Sequence, residues 1–118
     1  VVIILQESDY HSEHALIAKI VKRAVWHSGR SAFPQCGRPH KVNQLWEAEG
    51  DRPMAEPNHI EDISDVIKKK KTVFLSYGSQ IQRKPLVDAF LGLNRFRGLM
   101  YKKGAYAEAF KITDFFYG

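Results

Sequence analysis

The sequence predicts a small α/β or α+β fold, a mixed β-sheet with about three helices packed on it in a single pair of layers. Three observations point there. The chain opens on the β-branched run Val1-Val2-Ile3-Ile4-Leu5, which reads as a buried strand. A 3.6-residue apolar period follows at once, as it does when strand and helix alternate. With 118 residues, 44% of them hydrophobic and 26% charged, the chain has the length and composition of one globular domain. It is read as a single domain over 1–118, either by itself or as a piece of a longer chain.

Each element has a local reason. Residues 12–27 are predicted as a helix, with Ser12 as N-cap, Glu13 in the first turn and Ile17, Ile20, Val21 and Ala24 as the buried stripe. Lys19, Lys22, Arg23 and Trp26 lie on another face. Four prolines and two glycines break up residues 30–58, leaving only Lys41–Ala48 for a short helix or strand. Asn58 and Glu61 have capping-box spacing, so Ile60, Ile63, Val66 and Ile67 are expected on one face of a helix that ends in Lys68–Lys71. Thr72–Tyr77 reads as a central strand, Pro85–Asn94 as a helix and Arg95–Lys103 as a strand. The tail from Ala105 is expected to begin helical and end as a strand over Ile112–Tyr117.

Charge is sorted along the chain. Residues 1–67 hold seven Lys/Arg against ten Asp/Glu, a balance of −3. Residues 68–118 hold eleven against three, a balance of +8. All five histidines precede residue 60, and ten of the fourteen aromatics follow residue 72. An acidic, histidine-bearing half (1–67) is thus followed by a basic, aromatic half (68–118), which suits a polyanionic partner.

The leading expectation is therefore a non-catalytic nucleic-acid-binding domain, with RNA preferred over DNA and no cofactor. Lys68, Lys69, Lys70, Lys71, Arg83, Lys84, Arg95, Arg97, Lys102 and Lys103 would neutralise phosphates, while Tyr77, Tyr101 and Tyr106 stack on bases. Alternation around Phe96 on a strand would place Arg95 and Arg97 on one exposed face. Val73–Gly78 resembles the first signature strand of RNA-recognition-motif domains. Lys103–Phe110 shares a Lys-Gly opening and a final Phe with their second signature, although Ala105 and Ala107 stand at its stacking positions.

A second expectation is enzymatic. Glu7, Asp9, His11 and His14 follow the first strand directly, where open α/β sheets place ligands. Two acids with histidines are hard and borderline donors for Mg²⁺ or Mn²⁺ and suit a metal-dependent phosphodiesterase or nuclease. No second acidic cluster is evident at a later strand end. A third expectation is a protein-interaction subunit of a larger assembly. Cys36 with His40 lacks the paired spacing of a zinc site. One cysteine excludes an internal disulfide and suits a reducing, intracellular compartment, cytoplasmic or nuclear. No apolar run is long enough to span a bilayer, and no membrane partner is expected.

Overall fold

The computed structural model describes residues 1–79 and 84–115. A four-stranded mixed sheet and three α-helices make a small α+β fold. The strands are β1 (Val2–Leu5), β2 (Gln44–Ala48), β3 (His59–Asp62) and β4 (Ala107–Asp114), in the order β1-β2-β4-β3. The helices are α1 (Ser12–Ser28), α2 (Ile67–Ser76) and α3 (Lys84–Met100). No helix among the described residues is long and apolar enough to cross a membrane. The chain forms two compact units, one of Val1–His59 with Phe110–Gly118 and one of Ile60–Ala109.

In the first unit β1 and β2 run parallel, Val2 opposite Leu45 and Leu5 opposite Ala48. Helix α1 is the crossover between them. A parallel pair cannot be closed by a hairpin, and a helical crossover is the usual solution. β4 pairs antiparallel with β2, Trp46 opposite Ile112 and Glu47 opposite Lys111. Val25, Val42 and Leu45 form the core, with Val2, Ile4, Val21 and Phe115 packed on them. The sheet-facing stripe of α1 is therefore Ala18, Val21 and Val25. Ile17 and Ile20, expected inside, are instead 55% and 54% exposed. His11 occupies the N-cap position, and Ser12 is already helical.

The second unit departs most from expectation. Thr72–Ser76 is helix, not strand. Its half-buried residues Ile67, Lys70 and Phe74 recur at helical spacing, and Phe74 stacks on Phe90 with centroids 5.6 Å apart. Packing at that spacing overrides the β-propensity of Val73 and Phe74. Residues 95–100 continue α3, because the covered stripe Val87, Phe90, Leu91, Asn94, Arg97, Gly98 keeps one helical face. Three of its members are polar or lack a side chain, so apolar periodicity alone does not reveal it. Asn58 caps no helix. Its Nδ2 donates to the Ile112 carbonyl (2.9 Å) and its Oδ1 accepts from the Ile112 N–H (2.7 Å), as a strand residue would, and β3 follows. The tail is strand from Ala107, without the helical start. Phe116 and Tyr117 lie outside the described residues.

Candidate metal centre

The parallel pairing of β1 and β2 brings both carboxyl ends to one edge, and the Gln6 N–H continues the ladder to the Ala48 carbonyl (2.9 Å). The chain leaving β1 reaches Asp9 and the chain leaving β2 reaches Asp51. Two parallel strand ends of this kind form the usual ligand crevice of α/β sheets.

Asp9 is the organising residue. Its side chain is wholly covered and every hydrogen bond it accepts is local to the site. Oδ1 accepts from the His11 N–H (3.0 Å) and lies 3.2 Å from His14 Nδ1, while Oδ2 accepts from the Asp51 N–H (3.0 Å). Burial on its own would raise the Asp9 carboxyl. The bonds from His11, His14 and Asp51 outweigh it and hold the group below the usual carboxylate range. Gly50 makes this approach possible, since a Cβ there would overlap the Asp9 carboxylate.

A carboxylate can only accept, so a neutral His14 ring held by Asp9 through Nδ1–H would leave its lone pair on Nε2. This is the carboxylate–histidine arrangement that fixes the tautomer of metal-binding imidazoles. Asp9, His14 and Asp51 offer one donor atom each within 4.8 Å of one another, the one such group among the described residues. His11 stands at the rim. Its ring centroid is 4.7 Å from that of His14, Nδ1 is 3.3 Å from Glu13 Oε2, and Nε2 is 3.8 Å from Asp51 Oδ2. Three of the four residues expected after β1 thus converge. Glu7 is placed apart: its carboxylate pairs with Lys22 (3.0 Å) and Lys19 (3.9 Å), and Lys22 also meets Glu47 (2.8 Å). The hydrogen bond and charge of Lys22 hold the Glu7 carboxyl below its ordinary range. Beside the cluster, Gln6, Ser8, Lys22, Glu47, Met54 and Lys111 line a cavity of ≈ 280 Å³.

Asp51 was not among the expected site residues. Its signal lay in the Glu49-Gly50-Asp51 step after an alternating strand, and reading 30–58 as irregular chain hid it. Cys36 is exposed and takes no part in the cluster.

The basic set of the second unit divides. Lys68, Lys69, Lys71, Lys102 and Lys103 are exposed. Lys70 is drawn in by Asn94 Oδ1 (2.7 Å) and by Glu108. Arg97 is only 5% exposed and lies over Tyr101, its Nη1 3.4 Å from the phenol. Arg95 is exposed and lies over the Tyr106 ring at 5.3 Å. Arg95 and Arg97 are thus on a helix and face different surroundings, which corrects their expected pairing on one strand face. Tyr77 is 60% exposed at the end of α2. Arg83 and the side chain of Lys84 lie outside the described residues.

The folded carboxyl of Asp9 titrates below its ordinary 3.8, so its stabilising contribution is complete above that value and is lost as pH falls through the folded pKa. Asp9→Asn removes this contribution at neutral pH. The difference in urea midpoint between wild type and Asp9→Asn is expected to be largest near pH 7 and to shrink below about pH 4. A difference that grows on acidification would contradict the assignment.

No family model and no curated protein sequence matches the chain. Among solved structures, the conserved protein TT1542 from Thermus thermophilus superposes on it with a TM-score of 0.85 at 28% identity. The match covers 98% of this chain and 52% of that one, so the chain spans about half the length of TT1542.

Proposed function

We propose that Asp9, His11, His14 and Asp51 form the reactive end of a hydrolase that uses one divalent metal ion. The observation that carries this reading is the buried Asp9 carboxylate. It simultaneously orients the His14 ring and anchors the backbone of Asp51 at the carboxyl edge of two parallel strands. A solvated acidic turn has no need of a wholly covered carboxylate with three donors.

His14 Nε2 and the Asp51 carboxylate are the groups that would hold the ion, with Asp9 behind them. A nitrogen donor favours Mn²⁺ or Zn²⁺ over Mg²⁺, which prefers six oxygens. The ion would supply Lewis acidity and a water acidified to near neutral pKa. His11, exposed at the rim beside both groups, would hand a proton to the leaving group. A two-metal phosphodiester clamp requires further ligands, and among the described residues no second group of three His, Cys, Asp or Glu donors comes together. A single ion with a histidine acid suits attack on a carbonyl, in an amide or ester.

Calorimetric titration of the full chain with Mn²⁺, Zn²⁺ and Mg²⁺ tests the proposal, together with amide, ester and phosphodiester model substrates. One ion per chain is expected, Mg²⁺ weakest, with metal-dependent cleavage that His11→Ala removes while binding persists. No binding at millimolar metal overturns the site. Binding without turnover of any of the three bonds overturns the hydrolase.

A second reading is favoured by the exposed Lys68, Lys69, Lys71, Lys102 and Lys103, which support nucleic-acid binding by the second unit. Single-stranded RNA affinity is then expected to fall with salt and to lose roughly 0.7 in log–log slope for each of these lysines changed to Glu. Salt-indifferent binding would remove this reading. Reversal at Arg97 is no test of it, because that side chain is buried and its loss would act on folding.

A further inference from the structure

Helix α3 lies wholly in the second unit, and its covered stripe occupies one side of the helix. At about 100° per residue, Ala89, Gly92, Leu93, Phe96, Leu99 and Met100 fall within about 120° on the other side. Phe96 is 50% exposed, Leu99 54% and Met100 65%. A helix with one covered face ordinarily turns charged residues to water on the opposite one. From Pro85 to Met100 the only charged residues are Asp88, Arg95 and Arg97, and Arg97 is buried. Asp88 and Arg95 are both exposed. Seven residues apart, they fall within about 20° of each other around the helix, along one edge of the apolar face.

Gly92 sits midway between them. A glycine weakens an exposed helix, and no described residue calls for one here, since a Cβ would meet nothing within 4 Å. What the missing Cβ permits is a close approach to the backbone from outside the chain.

We infer that α3 pairs with α3 of a second copy, antiparallel about a two-fold axis beside Gly92. The surface is self-complementary in that arrangement. With the axis midway between Asp88 and Arg95, Asp88 of each copy lies level with Arg95 of the other, and both ion pairs form together. The Arg95 guanidinium donates through Nη1 to the Ala105 carbonyl (3.0 Å) and keeps further N–H groups for a carboxylate. The two backbones come closest at Gly92, and Phe96 of each copy fits over Ala89 of the other. A parallel pair would instead set Asp88 against Asp88 and Arg95 against Arg95. An anionic bilayer suits the face less well, because an acid borders it where interfacial helices carry cations. α3 shares no residue with the metal centre, so the two readings stand or fall separately.

Sedimentation velocity of the full chain from about 5 to about 500 μM tests the pairing, since one helix pair is a small interface and micromolar association is expected. Asp88→Arg and Arg95→Asp are each expected to weaken the dimer about ten-fold, because either one brings like charges together at both pairs. Mixing the two variants is expected to restore it, since opposite charges then meet again at both pairs. Phe96→Ser, which leaves the charges in place, is expected to abolish the dimer, with circular dichroism verifying that each variant folds. A chain monomeric at every concentration, a dimer indifferent to all three substitutions, or charge variants that mixing does not restore overturns the inference. A monomer that binds anionic vesicles, and loses that binding with Phe96→Ser, assigns the face to a bilayer and also overturns it.

Discussion

Replacing His14 with alanine is expected to weaken Mn²⁺ or Zn²⁺ binding about 100-fold or more, while Glu7→Gln leaves it unchanged. The two residues are seven apart and both follow β1, yet the fold gives them different work. His14 has one ring nitrogen, Nδ1, held by a buried carboxylate, which leaves the other as the nitrogen an imidazole ligand would use. Glu7 is committed to Lys22 at 3.0 Å and contributes no atom to the cluster. Removing an outer carboxylate from a metal-binding histidine already costs roughly 10–100-fold in affinity. Removing the ligand itself should therefore cost at least the upper end of that range, about 2.7 kcal/mol. Calorimetry on the full chain measures both variants. Equal losses in the two would return Glu7 to the site and displace the geometry argued for Asp51.

Gly98→Ala is expected to destabilise the fold by about 3 kcal/mol, near the upper end for overpacking. Gly98 is buried on α3 where the turn into β4 crosses the helix. A Cβ there would lie 2.7 Å from the Gly104 carbonyl oxygen, 2.8 Å from the Tyr106 nitrogen and 2.9 Å from the Ala105 carbonyl carbon. All three are backbone atoms, so no side chain can rotate away. A Cβ at Gly92, nearly two turns earlier on the same helix, would meet nothing within 4 Å. Gly92→Ala is therefore expected to stabilise by up to about 1 kcal/mol through helix propensity. Urea unfolding of the pair distinguishes close packing from propensity, since propensity alone predicts a gain at both positions.

The first strand and the first helix were legible because their signals are local. Val1–Leu5 is β-branched and uninterrupted, and residues 12–28 carry both the acidic first turn and a 3.6-residue apolar period. That same period misled on which side is buried. Ala18, Val21 and Val25 and Ile17, Ile20 and Ala24 form two overlapping stripes, and only the docked helix distinguishes them. Residues 72–100 were illegible for a related reason. Thr72–Tyr77 has strand composition, but Thr72–Ser76 is held helical by packing at Ile67, Lys70 and Phe74. The covered face of α3 likewise runs on through Asn94, Arg97 and Gly98.

By itself the sequence determined a small mixed-sheet fold and an acid–histidine group placed directly after its first strand, since both are written in contiguous residues. Only the tertiary structure decided that β2 lies parallel beside β1. That pairing carries Asp51 across 42 residues of chain to the Asp9 carboxylate, and it sets Glu47 beside Lys22, which holds Glu7 away from the group. A strand's partner and its direction depend on contacts distant in sequence, and no local pattern of side chains encodes them.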